Sequence, residues 1–97
     1  MAEEQQDVRI VDVPDEERYE ALVDGTLAGS AFYQLRSGRI VFLHTEVDPS
    51  FEGHGVGSRL AKDALDDARS KGLRVVPRCP FIARYIREHP EYQDLLD

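Results

Sequence analysis

The chain has one cysteine, Cys79, so no disulfide forms within it. That cysteine and three scattered histidines, His44, His54 and His89, lack the paired spacing of a four-ligand zinc site, and no metal is expected. No apolar run approaches the ~20 residues that cross a bilayer, so no membrane partner is expected. Residues 1–7 are polar and acidic, without the basic start and apolar middle of a secretion signal. They read as a disordered tail, and the protein as cytoplasmic. Basic residues are few: 12 Lys and Arg stand against 19 Asp and Glu, a net charge of −7. Nucleic-acid binding depends on cations that neutralise phosphates, so the balance argues against it. It favours cationic partners such as amines, and solubility. There is no repeat, linker or low-complexity segment. Neither the phosphate loop Gly-x-x-x-x-Gly-Lys-Ser/Thr nor the dinucleotide fingerprint Gly-x-Gly-x-x-Gly occurs.

What is present is one domain, residues 8–97, with 41% hydrophobic residues and a single modest core. Val8 to Val13 reads as a first strand, closed by Pro14. Asp24-Gly25 lies between two strand-like runs, Arg18 to Val23 and Leu27 to Gln34, and predicts a two-residue hairpin turn. Ser37-Gly38 marks a second turn before Arg39 to Val47. Val56, Leu60, Ala64, Leu65 and Ala68 then recur at helical spacing, with Lys71 and Gly72 as stop signals. Leu73 to Val76 is a short strand. Strand, helix, strand makes one crossover, so this strand should run parallel to Arg39–Val47. Pro80 opens a helix to about Glu88, His89-Pro90 breaks it, and Glu91 to Leu96 forms a last turn. The fold class is α+β: an antiparallel meander, a βαβ crossover and a C-terminal helix.

Gly53, Gly55 and Gly57 alternate where a strand hands over to the crossover helix. Such a turn exposes backbone N–H groups at the positive end of a helix, an anion site by construction. A plain flexible connection is the rival reading. Arg59 and Lys62 fall in the first helical turns, where the helix dipole disfavours cations, and an anion at the helix mouth would explain them.

Val47-x-Pro49-x-x-Glu52-x-x-Gly55-x-Gly57 resembles motif A of the GCN5-related N-acetyltransferases, which reads Gln/Arg-x-x-Gly-x-Gly/Ala after a strand ending in Val-x-Pro. The run Cys79-Pro80-Phe81-Ile82-x-x-Tyr85-Ile86-x-x-His89-Pro90-Glu91-Tyr92 resembles the small, single-domain NATD1-like members of that family. Together with the hairpin half, the resemblance covers about residues 8–96. It implies a minimal acetyltransferase fold and acetyl-coenzyme A (acetyl-CoA) as cosubstrate. The coenzyme A site would comprise Val47, Gly53, His54, Gly55, Val56, Gly57, Ser58 and Arg59. The pantetheine arm would lie between Arg39–Val47 and the strand ending at Val76. Glu52 departs from the pattern: a carboxylate there repels pyrophosphate unless it points away or pairs with Arg59.

Acetyl transfer to an amine needs a base for the amine, a donor for the carbonyl oxygen and a proton for the departing thiolate. Cys79 precedes Pro80 at a helix start, which favours the thiolate, and follows a strand end, where ligands bind in open sheets. A buried small hydrophobe is the alternative fate of such a cysteine. Histidine side chains ordinarily titrate at about 6.5, which makes His44 a candidate base; a hydrogen-bonded, semi-buried strand residue is its alternative role, and a solvated strand-end charge that of Glu46. Glu46, two residues on and on the same strand face, is the rival base. Family members use a tyrosine on the last helix as proton donor; for Tyr85, packing with Phe81, Ile82 and Ile86 is the preferred role. His89, Pro90 and Tyr92 read as a helix-end packing motif. Only Pro14 to Tyr19 separates the first two strands, too short for the family's two helices, so the acceptor side should be open. The reading is an N-acetyltransferase acting on a primary amine, as a monomer or weak homodimer. The alternatives are a non-catalytic acyl-CoA-binding module or sensor, and a purely structural interaction domain.

Overall fold

Asp24 and Gly25 take φ of 50° and 84° in the computed structural model, which describes residues 7–97. Two successive positive φ values match the twist of a hairpin, and the chain reverses there between β2 (Arg18–Val23) and β3 (Thr26–Arg36). β1 (Val8–Val13) pairs antiparallel with β2, and β3 with β4 (Arg39–Val47). Helix α1 (Val56–Ser70) crosses back to β5 (Arg74–Pro77), which runs parallel to β4, and α2 (Pro80–Glu88) follows. The strand order is β1-β2-β3-β4-β5. Residues 1–6 of the expected tail lie outside the described residues. Asp7, its last member, is tied down: Asp24 N–H donates to the Asp7 carbonyl at 2.9 Å, and Asp7 N–H to the Asp24 carboxylate at 3.1 Å.

Helix α1 buries Val56, Leu60, Ala61, Ala64, Leu65 and Ala68 against the sheet, and its alanines let the two approach closely. Gly29 on β3 meets it: a Cβ there would lie 2.7 Å from the Glu46 carbonyl oxygen and 3.3 Å from Val56 Cγ1. Each large core side chain, such as Phe42, Ile40, Leu60 or Leu65, stabilises the fold by roughly 1.5–3 kcal/mol. Gly72, at φ 69°, ends the helix; Leu73 N–H donates to the Ala68 carbonyl and Gly72 N–H to the Arg69 carbonyl, closing a Schellman motif.

β5 begins one residue later than expected and takes in Pro77, whose register partner is Phe42. Helix α2 buries Ile82 and Ile86. At its end Tyr85 stacks on His89 at 3.8 Å between ring centroids, and Tyr92 donates its hydroxyl to Asp66 on α1 at 2.7 Å. The His89-Pro90-Tyr92 segment is therefore packing, as its sequence suggests. At the far end of α1, Lys71 joins Asp12 (3.1 Å) and Asp67 (2.9 Å), which accept hydroxyls from Tyr33 and Tyr19. Burial, and then the carboxylate acceptors, pushes both phenols well above their ordinary value.

Two bulges shape β3 and β4. Ala28 is the extra residue opposite β2, and Leu43 the extra residue opposite β3. Bulges re-aim side chains and end pairing. Here the Leu43 bulge sits where β4 loses β5.

Candidate active site

β4 and β5 pair from Arg39–Arg74 to Phe42–Pro77 and then separate, although β4 continues to Val47. Proline has no N–H to extend the ladder. The last link is Cys79 N–H, which donates to the Phe42 carbonyl at 2.9 Å. From Leu43 onward, among the described residues, the β5 side of β4 has no strand beside it. The result is a fork with Cys79 at its apex.

Gly53 (φ 87°) and Gly55 (φ 74°) shape the turn at the open end of the fork. An L side chain is strained at such φ. Gly55 is the N-cap of α1 and supplies no side-chain acceptor, so among the described residues the first-turn N–H groups of Val56, Gly57 and Ser58 have no side-chain cap. The start of α2 comes to the same place. Phe81, 37% exposed, lies over Gly57, where a Cβ would be 3.0 Å from the ring. Two helix N-termini thus converge on one concavity of ≈ 250 Å³ lined by Val47, Phe51–Gly53, Gly55–Ser58 and Phe81. The dipole of α1 favours an anion there, and the Glu52 carboxylate in the same lining opposes it.

The cations expected to serve this mouth are engaged elsewhere. Arg59 reaches Asp63 (3.3 Å) and the Val8 carbonyl (3.4 Å), and Lys62 reaches Asp66 (3.1 Å). Pairing one turn along the helix explains both, so they are no longer an argument for an anion. Glu52 lines the concavity, and among the described residues it has no ion pair; Arg59 does not neutralise it. His54 stands in the turn, its ring edge-on to Phe51 at 6.2 Å.

Cys79 is 2% exposed and belongs to the core cluster. It occupies the N-cap of α2, but its side chain does not cap the helix. Its Sγ lies 3.3 Å from Thr45 Oγ1. His44 and Glu46 are 61% and 64% exposed, with Nε2 and Oε2 3.1 Å apart. Alternation along β4 puts them on the opposite face from Thr45 and Val47. Sequence reasoning placed His44 and Cys79 on neighbouring strands; the structure separates them by the thickness of the sheet, one on each side of the fork. His44 also stacks on Phe32 at 6.2 Å. Tyr85, stacked on His89, has its phenol pushed up by burial. Thr45 and the lining role of Phe81 were not found from the sequence. Thr45 carries no motif signal; Phe81 reads as one more member of an apolar helical face.

The chain is similar to known proteins. Residues 18–95 match the family model for the GCN5-related N-acetyl-transferase. Protein NATD1 of Gallus gallus and of Homo sapiens are each 39% identical over 59 residues, 60% of this chain and 54% and 52% of theirs. The matched segment thus spans about half the length of those relatives. A solution structure of a GCN5-like putative N-acetyltransferase from Staphylococcus aureus superposes with a TM-score of 0.71 at 24% identity, covering 92% of this chain and 87% of the other. That likeness shows a shared fold, mixed sheet and helices together. With its fork, its glycine turn and a family match over most of its length, the chain belongs to the GCN5-related N-acetyltransferase family.

Proposed function

We propose that this domain moves the acetyl group of acetyl-CoA to a primary amine. The fork between β4 and β5 carries the reading. Pairing between the two strands ends at Phe42–Pro77, the Cys79 N–H bond to Phe42 closes the apex, and β4 runs on toward the glycine turn. A diphosphate would accept hydrogen bonds from the uncapped N–H groups of Val56, Gly57 and Ser58, with Val47, Gly53, His54 and Gly55 shaping the cradle. A pantetheine arm would run down the gap past Phe81, its amides facing the unpaired edge of β4. Arg59, paired with Asp63, would contribute only by turning away from that partner.

The gap gives the two faces of the sheet different tasks. His44, on the open face, takes a proton from the ammonium group of the acceptor, with Glu46 beside it as the rival base. The amine nitrogen attacks the thioester carbonyl carbon, the C–N bond forms and the C–S bond breaks. Backbone N–H groups along the unpaired β4 edge would steady the oxyanion. On the helix side the Cys79 thiol gives its proton to the departing sulfur and recovers one from solvent, while the nitrogen releases its second proton. Transfer is direct; a thiol buried to this degree suits a proton donor better than a nucleophile that must be acylated and then turned over.

The test is an intact mass after incubation with acetyl-CoA, alongside an amine panel. Acetylated amine without an acetyl-protein species supports direct transfer; a stable acetyl adduct absent from Cys79→Ala would sink it. Full activity in both Cys79→Ala and His44→Ala would overturn the residue roles. One observation favours a second reading, a non-catalytic acyl-CoA-binding module: the carboxylate of Glu52 in the cradle, without an ion pair among the described residues. Calorimetric coenzyme A binding with no transfer to any amine selects it.

A further inference from the structure

A second concavity, of ≈ 490 Å³, lies outside the glycine turn. It opens where the start of β3 lies beside the end of β4, at the opposite end of that hairpin from the Ser37-Gly38 turn, and is lined by Leu27, Ser30, Glu46, Val47, Asp48 and Pro49 among others. Its volume is in the range of small-molecule sites. It touches the glycine-turn concavity at Val47, which lines both, and Glu46 links it to His44 at 3.1 Å.

Among the described residues its lining carries two carboxylates, Glu46 and Asp48, and no cation. Ser50 donates its hydroxyl (2.7 Å) and N–H (2.8 Å) to Asp48, which holds that carboxyl below its ordinary value and ionised. Arg18, the cation on neighbouring β2, is engaged by Glu20 at 2.7 Å. Ser30 stands between Glu20 and Glu46 in the strand register, on the face away from α1, and is 5% exposed. Among the described residues its hydroxyl has no hydrogen-bond partner, yet it is not sealed from the concavity. The residue is almost wholly buried but its hydroxyl stays reachable from the concavity, free to bond whatever enters it. Leu27, Val47 and Pro49 supply an apolar wall of the kind a methylene chain packs against.

We infer that this concavity is the acceptor subsite, and that it takes an alkylammonium: a methylene chain against Leu27 and Pro49, a charged nitrogen between Asp48 and Glu46, and a hydrogen bond with Ser30. The inference rests on the acetyltransferase reading for the word acceptor, and on the cavity alone for the ligand chemistry. Free polyamines and lysine side chains share that chemistry.

Titration of the 15N-labelled protein, without any acyl-CoA, reads it directly. Spermidine is expected to shift the amides of Ser30, Glu46, Val47 and Asp48, while 1,5-pentanediol, uncharged, does not. Asp48→Asn weakens binding about fivefold, and Ser30→Val removes the hydroxyl, narrows the concavity at that point and reduces the shifts, with the urea midpoint reporting its folding. Larger shifts with Nα-acetyl-lysine amide than with spermidine assign the source to a peptide side chain, and the reverse to a free polyamine. Shifts located elsewhere, equal shifts with the diol, or shifts unchanged in both variants overturn the inference. Spermidine bound at these residues but never acetylated leaves the subsite standing and removes the enzyme reading. Spermidine acetylated with a KM that neither variant moves does the opposite.

Discussion

The Cys79 thiol and the Thr45 hydroxyl lie 3.3 Å apart at the apex of the β4–β5 fork, on the opposite face of β4 from His44 and Glu46. Chemistry in the gap can therefore be served from two sides by groups that never touch. Cys79→Ala is expected to lower kcat by about 10²-fold or more, the typical worth of a positioned proton donor. Stability should fall by only about 1 kcal/mol, since one sulfur-sized group is lost from the core. Steady-state kinetics and urea melts check both. Native protein should also resist thiol alkylation that proceeds freely in urea.

Gly53 and Gly55 have open space where a Cβ would stand, so alanine there meets no atom within 4 Å. The cost is purely conformational, roughly 1–2 kcal/mol each. Coenzyme A affinity, measured by calorimetry, should fall at least tenfold, because straightening the turn withdraws the α1 N–H groups.

Glycines against the core behave differently. Gly29→Ala puts a Cβ 2.7 Å from the Glu46 carbonyl oxygen, a backbone atom that yields only if the strand moves. A loss of about 1–3 kcal/mol is expected. Gly57→Ala meets the tip of the Phe81 ring at 3.0 Å, which can tilt. Urea unfolding should rank Gly29→Ala as clearly the more damaging, with Gly57→Ala acting mainly on coenzyme A binding.

Glu52→Gln removes a carboxylate from the cradle without breaking an ion pair among the described residues. Coenzyme A should bind about fivefold more tightly, a gain of about 1 kcal/mol that shrinks in high salt. Melting of the free protein should be unchanged. Equal affinity in both proteins would show that Glu52 points away from the diphosphate.

Acid should act through α1. Burial disfavours the charged forms of Asp66 and Asp67, but hydrogen bonds outweigh it: Tyr92 and Lys62 hold Asp66 below its ordinary value, and Tyr19 and Lys71 hold Asp67 there. Depressed carboxyl pKa values stabilise the fold fully above the unfolded value near 3.9, and the contribution disappears as pH falls through the folded values. Stability should therefore drop below about pH 4. Asp67→Asn should be less stable at pH 7 and show a flatter acid limb in melting temperature against pH.

Local chemistry made most of the fold legible. Asp24-Gly25 needs positive φ at two successive positions, Gly72 needs it at a helix end, and Pro80 fits a first helical turn; each acts on its own neighbours whatever the rest of the chain does. Period marked α1, and the short crossover required β5 to run parallel to β4. The bulges at Ala28 and Leu43 were not legible, because an extra residue shows only when two strands are laid side by side.

The sequence by itself determined the element order, the glycine turn and the family, since these depend on residue type at fixed spacing. Tertiary structure decided where the reactive groups look. It put Cys79 in the core, set His44 and Glu46 on the other face, satisfied Arg59 and Lys62 with Asp63 and Asp66, and hollowed a carboxylate-lined concavity beside the fork. The physical reason is the alternation of strand side chains: once the Leu43 bulge and Pro77 end the β4–β5 ladder, register alone assigns each residue of β4 to the helix side or the open side.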